Sequence, residues 1–322
     1  TIKSISVIMN SPSRNLEPWE SDRELDPADV RIMAEAFLPD LPLYEIQYMG
    51  SGWCNDVYNL NSEWILRFPR RRDVLSNLKK EAGVSAFLIP LLKETGVPIP
   101  DFSIISPPID CGFPYSFGAY PMIPGVSGGT RIRPVTDWSK FAKRLGNFLT
   151  TLHSIPTTNT RDLDVHERRP LECLQWLDQK ADITRFINSL KDEALLSNIQ
   201  WFDSKPPEPY SGLLRFTHDD LSPEHILINP NDGAITGVID WEDATIGDPV
   251  SDFVTLPFWI GWDNTQRVLD HYRLEMDKGF QERLEYASRI TSLAWLYDES
   301  RRSDDVSLQK WYVSNVFNKR FG

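Results

Sequence analysis

Cysteine is scarce in this chain. The three present, Cys54, Cys111 and Cys173, are odd in number, widely spaced and in no metal-like pairing. That argues against a disulfide framework or a thiolate metal site and suits reduced thiols in a cytoplasm. Long apolar runs are missing: no stretch approaches the roughly 18 uncharged apolar residues of a membrane span. The first residues lack a basic segment leading into an apolar one and a small-residue cleavage site, so secretion is not expected. Basic charge also falls short, with 34 Lys and Arg against 46 Asp and Glu and a net charge of −12. A nucleic-acid-binding surface wants the opposite sign. The acid excess is compatible with a cationic small substrate, and equally with a plain role in solubility.

What is there is a chain of 322 residues, long enough for one large domain or two lobes with ample core. Residues 1–24 carry scattered Ser, Pro and charge without a sustained period, and read as a peripheral extension, partly strand-like at Ile5 to Met9. Asp26-Pro27 reads as an N-cap and first helical residue, followed at helical spacing by Val30, Met33, Ala34 and Phe37. From Leu43 the pattern turns to strands: residues 44–49, a turn Gly50-Ser51-Gly52, residues 57–60 and residues 64–68. Glycines in such a turn let backbone N–H groups approach phosphate oxygens with no Cβ in the way. A plain hairpin turn would use them as well. An apolar helical pattern begins around residues 77–81 and ends at Pro98 to Pro100, and residues 117–125 read as a strand breaking into a linker. Past Gly128-Gly129 the chain is predominantly helical. Trp138, Phe141, Leu145, Phe148, Leu149 and Leu152 follow a period of about 3.6, with His153 closing the run in a packing or capping role. A further helix is expected around Leu171 to Ile187.

The stretch that carries chemistry is Phe216-Thr217-His218-Asp219-Asp220-Leu221-Ser222-Pro223-Glu224-His225-Ile226-Leu227-Ile228-Asn229, answered by Gly237-Val238-Ile239-Asp240-Trp241. Each half contains a short run of strand character, and Pro230-Asn231-Asp232-Gly233 between them is a hairpin turn. Asp220 and Asp240, 20 residues apart, are thereby delivered to one end of one hairpin. Phosphoryl transfer needs such a pair: one carboxylate to orient a substrate hydroxyl, another to hold Mg²⁺ against nucleotide phosphates. A lone loop aspartate would carry no such reading; the composite with His218, the metal-capable His225 and Ile-Asp-Trp does.

At this point the chain resembles the aminoglycoside and macrolide phosphotransferases, antibiotic kinases that share the protein-kinase fold. Their pattern is His-x-Asp, Asn or His five residues later, then Ile-Asp-Trp or Ile-Asp-Phe. Their glycine segment Gly-x-Gly-x-x-Asn-x-Val-Tyr is matched by Gly50, Gly52, Asn55, Val57 and Tyr58. The resemblance runs from about Tyr44 to Phe253 and implies a two-lobed α/β (α+β) kinase-like fold. Residues 25–122 would form a nucleotide-binding lobe with an antiparallel sheet and a helix, and residues 123–322 a mainly helical lobe with the catalytic loop. It also implies that Gly50, Ser51 and Gly52 cover the nucleotide phosphates. Arg67 stands where a kinase places Lys on the third strand, with Glu81 as its helix partner. Arg keeps the charge on a bulkier, forked head. Tyr120, Pro121 and Ile123 fall at the hinge, where the carbonyl of Pro121 accepts and the N–H of Ile123 donates to a purine edge, since Pro121 has no N–H. Asp248 resembles a family Asp that braces the catalytic loop through its backbone.

On this reading Asp220 positions the attacking hydroxyl, Asp240 and His225 hold Mg²⁺, and His218 locks the loop by hydrogen bonding. The expected enzyme is a monomeric, cytoplasmic antibiotic kinase using ATP or GTP on a hydroxyl of an aminoglycoside-type compound, with neither nucleic acid nor membrane as partner. Carboxylates for a cationic acceptor are available at Asp219, Glu224, Glu242 and Asp243, and at Asp298 and Glu299 on a late helix. A macrolide 2′-kinase is the nearest alternative, its apolar substrate lined by Trp259, Trp262 and Trp295. A metabolic small-molecule kinase and a regulatory pseudokinase also stay open; intact Asp220 and Asp240 argue against the latter. A protein kinase is disfavoured because no Ala-Pro-Glu segment follows Asp240.

Overall fold

A computed structural model describes residues 20–109, 111–129, 135, 137–160, 162–167 and 172–318, with the side chains of 172–175 outside that set. The strand expected at Ile5 to Met9 lies outside the described residues. The chain forms two compact units, divided between Ala82 and Gly83, between Asp101 and Phe102, and between Met122 and Ile123.

The first unit is a helix on an antiparallel sheet. Helix α1 (Pro27–Phe37) starts where its cap predicts, the Asp26 carboxylate accepting the Ala28 N–H at 2.8 Å. Strands β1 (Ile46–Ser51), β2 (Asn55–Leu60) and β3 (Trp64–Pro69) form a meander. Helix α2 (Leu75–Leu92) follows, its residues from Gly83 onward counted in the second unit, then β4 (Ser103–Ile105) and β5 (Phe117–Pro121), giving a sheet of order β1-β2-β3-β5-β4. Alternation sets one face of β2, β3 and β5 against α1: Tyr58, Leu60, Leu66, Phe68, Phe117 and Ala119 pack with Val30, Met33 and Ala34. Each large apolar side chain buried there contributes roughly 1.5–3 kcal/mol.

The second unit is mainly helical. Strand β6 (Val126–Ser127) leads into α3 (Trp138–His153), which has the bounds its periodicity predicts. The helix expected over 171–187 is divided: Glu172–Gln179 winds as 3₁₀ turns, and α4 (Lys180–Leu190) begins after Gln179, which gives no side-chain cap. Helix α5 (Glu193–Asn198), β7 (Arg215–Thr217), β8 (Ile226–Ile228), β9 (Ile235–Val238) and β10 (Thr245–Gly247) follow. The chain then continues as α6 (Leu256–Ile260), α7 (Trp262–His271), α8 (Phe280–Ser300) and α9 (Ser307–Phe317). Strand β7 pairs with β10, and β8 pairs with β6 and β9. The core gathers Phe141, Leu145, Phe148 and Leu152 from α3 with Phe216, Trp241, Phe253 and Phe258. Among the described residues no helix is long and apolar enough to cross a membrane.

Candidate active site

In the second unit the β7–β8 loop and the end of the β8–β9 hairpin carry the predicted acids. The hairpin closes through Asn229 N–H to the Ala234 carbonyl and Gly233 N–H to the Asn229 carbonyl, both 2.8 Å. Gly233 is the residue that lets the turn close: its φ is +70°, and a Cβ there would lie 2.3 Å from the Val135 Cα. At the other end Ile239 N–H reaches the His225 carbonyl at 2.9 Å. That bond fixes the start of one strand against the end of the other, and so Asp220 relative to Asp240.

Two histidines cross-brace the acids. The His218 ring is fully buried, stands on Trp241 with centroids 4.5 Å apart, and burial holds its pKa below the usual value. Its Nε2 donates to the Ile239 carbonyl at 3.0 Å and its Nδ1 accepts the Asp220 N–H at 3.3 Å, tying the neighbour of Asp240 to Asp220. His225 Nδ1 donates to the Asp220 carbonyl at 2.7 Å and lies 3.5 Å from Asp220 Oδ2, while Nε2 lies 3.4 Å from Asp240 Oδ2. Burial alone would push His225 down; the charges of Asp220 and Asp240 outweigh it and hold the ring above its usual value. Asp220 is pushed up, first by burial, then by Asp243, Asp240 and Glu224, with His225 opposing. With 42% of its side chain still meeting solvent, water screens part of that rise. Asp219 and Asp240 both take left-handed backbone, with φ of +67° and +68°, conformations that cost of order 1–3 kcal/mol and persist only where surroundings impose them.

The donor set fits a hard divalent cation. Asp240 offers carboxylate oxygens, and the charges of Asp243, Asp240 and Glu224 raise the proton affinity of Asp220, a repulsion that a cation relieves. His225 is the poorer ligand, since its Nδ1 is committed to the Asp220 carbonyl and imidazole suits softer metals.

The loop's brace is Asp252, not Asp248. Asp252 is fully buried; its Oδ1 accepts the Asp219 N–H at 2.7 Å and its Oδ2 the His218 N–H at 2.9 Å. Asp248 instead caps the 3₁₀ turn Pro249–Phe253 through the Val250 N–H and pairs with Arg283 at 2.6 Å. One turn of that helix carries the chain from the capping acid to the bracing acid. Thr255 adds a second tie that sequence reading missed, its Oγ1 donating to the Leu221 carbonyl at 2.6 Å.

In the first unit the glycine turn is a β1–β2 hairpin end. Gly50 has φ +141°, Gly52 N–H donates to the Asn55 carbonyl at 2.9 Å, and the Ser51 hydroxyl bonds the Tyr48 hydroxyl and Asp56. On β3, Arg67 Nη1 donates to Glu81 Oε1 at 2.7 Å, with 8% and 0% of the side chains exposed. The expected Arg67–Glu81 pair is present. Tyr120 is buried against Phe102, ring centroids 4.7 Å apart. Beyond Pro121, the Met122 N–H donates to the Glu63 carbonyl at 2.7 Å; Ile123 begins the next segment of the second unit.

The residues read as acceptor contacts fall into two groups. Glu224 and Asp243 are exposed and Asp219 and Glu242 half-buried around Asp220. Trp259 and Trp262 lie in the core, 5% and 3% exposed, the latter donating to the Val316 carbonyl at 3.0 Å. Trp295 is half-buried against Phe258, and Asp298 is buried, paired with Arg302 at 2.9 Å, with Glu299 3.4 Å from the same guanidinium.

A sheet unit carrying a glycine hairpin and a buried Arg–Glu pair, and a helical unit carrying two aspartates on one hairpin, define a kinase-like phosphotransferase acting on a hydroxyl. The sequence profile of the phosphotransferase enzyme family matches residues 45–288, and the chain belongs to that family. The uncharacterized protein YcbJ of Bacillus subtilis (strain 168) is 30% identical over 224 residues, 65% of this chain and 67% of that protein. The fold is similar to the GDP complex of wild-type aminoglycoside 2′-phosphotransferase-IIIa, with a TM-score of 0.67, 22% identity, and 91% and 99% of the two chains covered. It is also similar to macrolide 2′-phosphotransferase type I, with a TM-score of 0.60, 20% identity, and 92% and 99% covered.

Proposed function

We propose that this protein transfers the γ-phosphoryl group of ATP or GTP to a hydroxyl of an aminoglycoside-type compound. The observation that carries the reading is the single imidazole, His225, within 3.5 Å of the carboxylates of both Asp220 and Asp240: two acids of different role, held side by side by the backbone. Asp220 accepts a hydrogen bond from the attacking hydroxyl and aligns it, which in a loose transition state counts for more than basicity. Asp240, with His225, would hold Mg²⁺; that ion supplies charge neutralisation at the phosphates. Gly50, Ser51, Gly52 and the Arg67–Glu81 pair would serve the nucleotide phosphates, and Tyr120, Pro121 and Ile123 the base. The related fold solved as a GDP complex supports a purine nucleotide.

The exposed acids favour a polycationic acceptor. Glu224 and Asp243 face solvent beside Asp220, whereas two of the three tryptophans that a macrolide would need are spent on the core. The test is nucleotide turnover with kanamycin or erythromycin as acceptor, with ATP and GTP in parallel, at low and at about 0.5 M salt, where the Debye length falls to a few ångströms. Turnover with kanamycin whose KM rises severalfold with salt is expected. Turnover with erythromycin alone, at a KM indifferent to salt, overturns the acceptor assignment.

A further inference from the structure

A buried chain of hydrogen bonds runs from the end of α7 to the catalytic loop. The Tyr272 hydroxyl lies 2.8 Å from His153 Nδ1, and His153 Nε2 lies 3.0 Å from Asp252 Oδ2. The Asp252 oxygens accept the backbone N–H groups of His218 and Asp219 at 2.9 and 2.7 Å. His153 and Asp252 are fully buried and Tyr272 is 6% exposed, so water does not substitute for a missing link.

Burial opposes loss of the Asp252 proton, but the hydrogen bonds from His153 and from the His218 N–H outweigh it, so the carboxyl stays below its usual value and accepts throughout. His153 Nε2 therefore carries the hydrogen. Burial raises the Tyr272 phenol well above its usual value, so it keeps its proton and has a hydrogen to give to Nδ1. By donating to Nδ1 the hydroxyl favours the tautomer of His153 that donates to Asp252.

The tyrosine is delivered there by packing along a single stripe of α3. Gly146, Thr150 and His153 recur at i, i+4 and i+7 on that helix. At Gly146 a Cβ would meet the Val268 carbonyl oxygen at 2.6 Å and the His271 Cβ at 2.7 Å, so only a glycine admits α7 this closely. Thr150 Oγ1 accepts the Arg273 N–H at 3.0 Å. The Tyr272 ring stands edge-on to His153 and Phe253, with centroids 5.5 and 5.2 Å apart.

We propose that Tyr272 is a positioning residue for phosphoryl transfer, its hydroxyl fixing His153 and, through Asp252, the backbone of His218 and Asp219 that presents Asp220. The proposal rests on the reading of Asp220 given above. Tyr272→Phe keeps the ring packing and removes only the donor. Two readouts are needed. In amide hydrogen exchange, the His218 and Asp219 amides of Tyr272→Phe should exchange at least tenfold faster, while the Ile226 and Val238 amides of the β8–β9 hairpin are unchanged. In turnover of Mg-ATP and Mg-GTP with kanamycin, kcat should fall at least tenfold with the nucleotide KM within about threefold. Tyr286→Phe, which removes another buried tyrosine hydroxyl of the same unit, should leave both readouts at the wild-type level. A kcat within twofold of wild type, exchange that rises equally across the unit, or loop loosening with unaltered turnover each overturns the proposal. If the wild-type protein turns over no nucleotide with this acceptor, the functional reading fails, and the exchange arm still decides whether Tyr272 orders the loop.

Discussion

A carboxylate that accepts three hydrogen bonds cannot be replaced by its amide without setting donors against donors. Asp252 accepts from Asp219, His218 and His153. Asp252→Asn is therefore expected to cost about 3 kcal/mol, the range for breaking a buried, charge-assisted set, read as a lower urea midpoint at constant slope. Asp277 makes the complementary case at the surface. Hydrogen bonds from Arg283 hold its carboxyl below the usual carboxylate value of 3.8. A depressed acid stabilises the fold above its unfolded pKa and loses that contribution as pH falls through the folded one. Asp277→Asn should thus be less stable than wild type near neutrality, by about 1 kcal/mol once 38% side-chain exposure is discounted. The two stabilities should converge as pH falls below about 3.8. A gap that persists undiminished there would assign the effect to something other than this ion pair.

At the scale of elements, two helical glycines should respond with opposite sign. Gly146 sits where α3 meets α7, and a methyl group there would meet backbone and side chain inside 3 Å; Gly146→Ala should destabilise by about 1–3 kcal/mol. Gly83 is exposed in α2 with nothing within 4 Å of an added Cβ; Gly83→Ala should stabilise by about 0.5–1 kcal/mol. Chemical denaturation of both variants checks the pair. The elements themselves were legible where local chemistry sets them. Asp26-Pro27 starts α1, the apolar period gives α3 its bounds, and Pro230-Asn231-Asp232-Gly233 closes the hairpin. The Arg67–Glu81 pair was legible from motif order. Asp252 was not: its partners lie 33 and 34 residues away along the chain, and Asp248, nearer the motif, carries the same side chain. Nor could aromatic spacing separate core from pocket, because Trp259 and Trp262 have the same periodicity whether a helix face meets protein or ligand.

Over the whole molecule, a net charge of −12 draws polycations and makes encounter dependent on ionic strength, but charge alone performs no chemistry. In the proposed transfer Asp220 and Asp240 do different work. Asp240→Ala is expected to lose turnover and Mg-dependent nucleotide affinity together, read by calorimetry with and without Mg²⁺; undiminished affinity with Mg²⁺ present would remove Asp240 from the metal. The most direct measurement is mass spectrometry of kanamycin incubated with Mg-ATP or Mg-GTP and either wild-type protein or Asp220→Ala, alongside nucleotide affinity for both. A product one phosphoryl group heavier is expected with the wild type alone, with nucleotide affinity in the variant within a few-fold of wild type. A phosphorylated product from Asp220→Ala at a rate within tenfold of wild type would contradict it.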